Sequence, residues 1–61
     1  MFHWEGADAD GVPYRSQDFP TQADAEAWLT AAYPDLVDAG VLAVSLVEGA
    51  RTVYGPMSLE A

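Results

Sequence analysis

The chain has no cysteine, no lysine, no isoleucine and no asparagine. Without cysteine there is neither a disulfide framework nor a thiolate metal site. Cations are scarce as well, with two arginines and one histidine against ten acidic side chains and a formal net charge of −8. A nucleic-acid binder needs a basic stripe that releases counterions, so this balance argues against DNA or RNA as a partner. Long apolar runs are missing too. The longest, Gly40 to Val47, is interrupted by Ser45 and is too short to span a bilayer, so no membrane partner is expected. The start, Met1-Phe2-His3-Trp4-Glu5, lacks the charged and apolar stretches of a signal peptide, and the expected location is cytoplasmic. Lysine, isoleucine and asparagine have AT-rich codons, so their absence fits the GC-rich genome of a high-GC bacterium, with a salt-adapted cytoplasm as the alternative. In either case the acidity describes a solvated surface before it describes a function.

What is present reads as a single small α+β domain over residues 1–61, built hairpin–helix–hairpin (ββαββ), with one helix packed on one face of an antiparallel sheet. The first hairpin runs from Phe2 to about Asp18 and turns at Asp8-Ala9-Asp10-Gly11. A three-residue loop, Ala9-Asp10-Gly11, aligns Phe2, Trp4, Val12 and Tyr14 on one face and sets Glu5 opposite Arg15 on the other. A two-residue loop would instead mix Phe2 and Trp4 with Arg15 and Gln17, so the longer loop is the better register.

Thr21 has the side chain and position of a helix N-cap, with Asp24 and Glu26 in the first turn. Ala25, Trp28, Leu29 and Ala32 follow at helical spacing. Pro34 predicts an end near Ala32 or Tyr33, then a short separate turn over Pro34–Asp38 stopped by Gly40. The second hairpin takes Val41 to Val47, a turn at Glu48-Gly49-Ala50-Arg51, and Thr52 to about Leu59. Strict alternation groups Leu42, Val44, Leu46 and Val53 on the helix side. It leaves Val41, Ala43, Ser45, Val47, Thr52 and Tyr54 on the open side. Pro56 lacks an amide donor and marks an edge strand or its end near Gly55.

Candidate chemistry is sparse. Asp8-x-Asp10-Gly11 resembles a calcium loop only in part. When Gly11 is aligned with the loop glycine, Gly6 falls where the first aspartate belongs and Gln17 where the bidentate glutamate belongs. A hairpin turn explains the same residues. His3 is the one residue of the type whose unperturbed chemistry suits acid–base catalysis near neutrality, yet no serine or acid stands at a spacing that suggests a triad. One histidine with scattered carboxylates is a poor zinc set, and no phosphate-cradling glycine loop is present. No catalytic, metal or cofactor residue is therefore assigned.

The leading expectation is a non-catalytic domain acting through protein–protein contacts, as a homodimer or with another protein partner. Its interface residues would be His3, Arg15, Val47 and Tyr54 on the sheet face away from the helix. An acidic inhibitor, whose carboxylates mimic nucleic acid against a basic partner, is the second class. A minimal ligand binder or enzyme using His3, Glu5 and Arg15 is the third.

Overall fold

The computed structural model describes residues 1–59. Strands β1 (Phe2–Asp8) and β2 (Pro13–Arg15) form the first hairpin, helix α1 spans Gln22–Asp38, and β3 (Val41–Glu48) and β4 (Arg51–Ser58) form the second. All neighbours are antiparallel, in the order β2-β1-β3-β4. The two hairpins thus join through β1 and β3, and the helix packs on that central pair. This is the ββαββ architecture of the sequence reading.

The first hairpin has the expected register, with Glu5 opposite Arg15, Gly6 opposite Tyr14 and Ala7 opposite Pro13. Its turn is held by Asp8, whose Oδ1 accepts the backbone amides of Asp10 and Val12 at 2.9 Å each. That carboxylate is occupied as a turn acceptor, which is the role the hairpin reading gives it. Val12 lies exposed in the turn rather than on the core face. Beyond β2 the chain stays beside β1. The Ser16 amide donates to the Trp4 carbonyl, the Trp4 amide donates to Ser16 Oγ, and Phe2 and Phe19 exchange both backbone bonds.

Trp4 is the centre of the core. It is 0% exposed, and its indole Nε1 donates to the Ala25 carbonyl of α1 at 2.9 Å. A hydrogen bond from sheet to helix backbone fixes the height and rotation of the helix over the strands. Around it lie Phe19, Ala25, Leu29, Leu36, Val41, Val44, Leu46 and Leu59. Trp28 is only half-buried and packs against Phe19 with ring centroids 5.5 Å apart.

Thr21 caps the helix as expected, its Oγ1 accepting from the Asp24 amide. The helix does not stop before Pro34, and the separate turn over Pro34–Asp38 is corrected to one continuous α1. The reason is packing. Pro34 removes a single backbone bond, whereas continuing the helix puts Leu36 on the stripe of Ala25 and Leu29 and buries it in the core. Gly40, at φ 86°, then ends the run in the left-handed region.

Both sides of the second hairpin depart from strict alternation. At the start of β3 the pairing with β1 jumps from Ala7–Ala43 to Asp8–Val41, so Leu42 is an extra residue. Val41 consequently joins the core and Leu42 is 40% exposed, the reverse of the expected faces. In β4 the turn at Gly49-Ala50 pairs Glu48 with Arg51 and Val47 with Thr52. The next pair is Leu46–Tyr54, which leaves Val53 unmatched. Gly55 and Pro56, joined by a cis peptide bond, then face Ser45 alone before Val44 pairs with Met57.

Candidate functional site

Two places gather polar or reactive side chains. The first is the sheet face away from the helix. His3 and Glu5 alternate with Trp4 and so point there, together with Arg15 and Val47, their cross-strand partners in the register. His3 is 4% exposed, with Nε2 bonded to Glu5 Oε2 and Nδ1 3.8 Å from Asp18 Oδ1. Arg15 Nη2 reaches the same Asp18 oxygen at 3.4 Å. Both ring nitrogens therefore face carboxylates rather than a hydroxyl nucleophile. The described residues include no group of three or more His, Cys, Asp or Glu placed to hold a metal ion. Val47 is on this face too, but it is buried.

Tyr54 is not on this face. Its pairing with Leu46 puts it on the helix side, where its ring meets Trp4 edge-on at 6.0 Å and 85°. The unmatched Val53 shifts the side-chain phase by one, which turns Tyr54 over, and the second extra residue at Gly55-Pro56 restores the phase before Met57. The four expected interface residues are accordingly split, with His3, Arg15 and Val47 on one side and Tyr54 on the other.

The second place is where Tyr54 has gone. Because α1 covers β1 and β3, edge strand β4 extends beyond the helix, and an open groove of about 290 Å³ remains between them. Glu26, Leu29, Thr30 and Tyr33 of α1 and Tyr54 and Met57 of β4 line it. The bulges in β4 create this lining. Val53 re-aims Tyr54, and the pair Gly55-Pro56 against one residue of β3 brings Met57 to the same side. Only glycine can occupy position 55, since its φ is +116° and a Cβ there would stand 2.8 Å from Ser45 Cα. The Gly-Pro dipeptide is a sequence sign of irregularity in β4, but nothing in the alternation marks the extra residue at Val53 that turns Tyr54 over.

The polar side chains of the groove are largely engaged within the chain. Tyr33 donates its hydroxyl proton to the Leu59 carbonyl at 2.8 Å, and Thr30 donates to the Glu26 carbonyl at 3.1 Å. Glu26 Oε2 accepts from the Gln22 side-chain Nε2 at 2.9 Å. Among the described residues the Tyr54 hydroxyl donates only to the Met57 sulfur, at 4.0 Å. What the groove offers a visitor is ring faces, apolar stems, acceptor oxygens and the weakly engaged Tyr54 hydroxyl.

Comparison of the chain with protein families, characterised proteins and solved structures finds no match. Among the described residues no helix is long and apolar enough to cross a membrane.

Proposed function

We propose that this is a non-catalytic domain acting through protein–protein contact, with the α1–β4 groove as its contact surface and a basic protein segment as the occupant. The observation that supports this reading is the convergence of half-exposed Tyr33, Tyr54 and Met57 in one open groove between a helix and a bulged edge strand. Aromatic residues and methionine are the side chains that contact surfaces favour. Charge selects the occupant. The chain carries a net −8, and among the described residues lining the groove Glu26 is the one with a charge and none is a cation. Both arginines are engaged within the chain, Arg15 with Asp18 at 3.4 Å and Arg51 with Glu48 at 2.9 Å. A basic partner is attracted at long range and an acidic one repelled.

Self-association through the open sheet face has less support. Of the apolar residues expected on that face, Val41 is in the core, Val47 is on the face but buried, and Tyr54 is across the sheet. The bulges and Pro56 also blunt β4 as an edge for strand-to-strand pairing.

Photo-crosslinking from single positions tests the proposal. A benzophenone side chain at Thr30, in the groove, is expected to capture a basic protein, with the adduct lost on Tyr54→Ala and at high salt. A probe at Thr52 on the opposite face is expected to capture none. Adducts from Thr52 alone, adducts to the chain itself, or groove adducts unaffected by Tyr54→Ala would overturn it.

A further inference from the structure

We infer that the anchor of this groove is a cationic side chain of the partner, an arginine guanidinium or lysine ammonium held between Tyr33 and Tyr54 against Glu26; this rests on the groove being the contact surface. The argument is one of donors and acceptors. The hydroxyl protons of Tyr33 and Thr30 are already given to backbone carbonyls, so each of these oxygens presents only lone pairs outward. Tyr54 adds another hydroxyl oxygen whose own contact, a sulfur at 4.0 Å, is weak. Glu26 uses one carboxylate oxygen on Gln22, and the other takes no hydrogen bond among the described residues. An anion entering here would meet the Glu26 carboxylate, and the Tyr54 hydroxyl is the one side-chain donor among the described lining residues not already given to an oxygen acceptor. A guanidinium brings five donors and a flat cation suited to tyrosine faces, while its methylene stem can lie on Leu29 and Met57. The lining thus supplies a negative charge, two aromatic rings and an apolar floor, and none of its described residues is a cation.

The smallest probe of this idea is n-butylguanidinium, titrated into the isotope-labelled full chain and followed by NMR, with 1-butanol as the neutral control. Saturable shifts at Glu26, Thr30, Tyr33, Tyr54 and Met57 are expected from the cation, with upfield movement of the butyl protons by the tyrosine rings. Glu26→Gln should weaken the apparent Kd by about five-fold or more, and Tyr54→Leu by a similar factor. Glu26 is exposed, so Glu26→Gln is expected to keep the native spectrum elsewhere. If 1-butanol shifts the same residues as strongly and Glu26→Gln changes nothing, the cationic anchor is wrong while the groove survives as an apolar contact site. If neither probe shifts the groove residues, or if the cation acts only at His3, Glu5 and Asp18, both the anchor and the groove reading fall.

Discussion

Trp4→Phe isolates the bond that ties sheet to helix. Trp4 is fully buried, and its indole Nε1 donates to the Ala25 carbonyl at 2.9 Å, so phenylalanine keeps the aromatic face and loses that donor. The lost hydrogen bond costs about 0.5–1.5 kcal/mol. The smaller ring leaves part of an indole-sized void, roughly 1–2 kcal/mol when full truncation of a core aromatic costs 3–5 kcal/mol. Together these give about 2–3 kcal/mol, against roughly 3–9 kcal/mol expected for the whole stability of a 61-residue chain. At several degrees per kcal/mol, the melting temperature should fall by about 10–20 °C. Trp28→Phe is the comparison, because Trp28 is half-buried, makes no indole hydrogen bond among the described residues, and should cost no more than about 1 kcal/mol. Each variant retains one tryptophan, so urea unfolding followed by fluorescence reports both from a single chromophore. Equal midpoints for the two variants, or a loss below about 0.5 kcal/mol for Trp4→Phe, would refute the view that Trp4 anchors the helix.

Further outcomes follow from other contacts. Thr21→Ala removes the cap on the Asp24 amide and should lower stability by about 1 kcal/mol in urea, while Thr21→Asp should retain most of it. Gly6→Ala would place a Cβ 2.2 Å from the Ala43 carbonyl oxygen, a backbone atom of the central strand, and should destabilise by about 3 kcal/mol or more, seen as loss of the native circular dichroism. Burial raises the Tyr14 phenol above its ordinary value of 10.0, so the folded state holds that proton more tightly than the unfolded chain. The stability this contributes is complete below pH 10.0 and is lost as pH rises through the folded value; Tyr14→Phe should remove that part of the alkaline slope in urea titrations.

Much of the fold is local, and the sequence by itself determined it. The Asp8 turn, the Thr21 cap, the Gly40 stop and the turn within Glu48–Arg51 each depend on residues within a few positions of one another, as does the Glu5–Arg15 register that the first turn imposes. So do the apolar positions of α1 that select its buried face. Tertiary structure decided whatever required comparing a local preference with a distant contact. Pro34 argues for a break, and only the core waiting for Leu36 shows that the helix continues. Likewise, alternation assigns Val41 and Tyr54 to the open face, and only pairing with β1 and β3 reveals the extra residues that turn them over. The strand order could not be read from either hairpin alone, because it is set by the side-by-side packing of β1 and β3 beneath one helix. The groove is a consequence of all three. A helix centred on β1 and β3 leaves β4 uncovered, and a period-two strand carrying two bulges presents Tyr54 and Met57 to the space beside it.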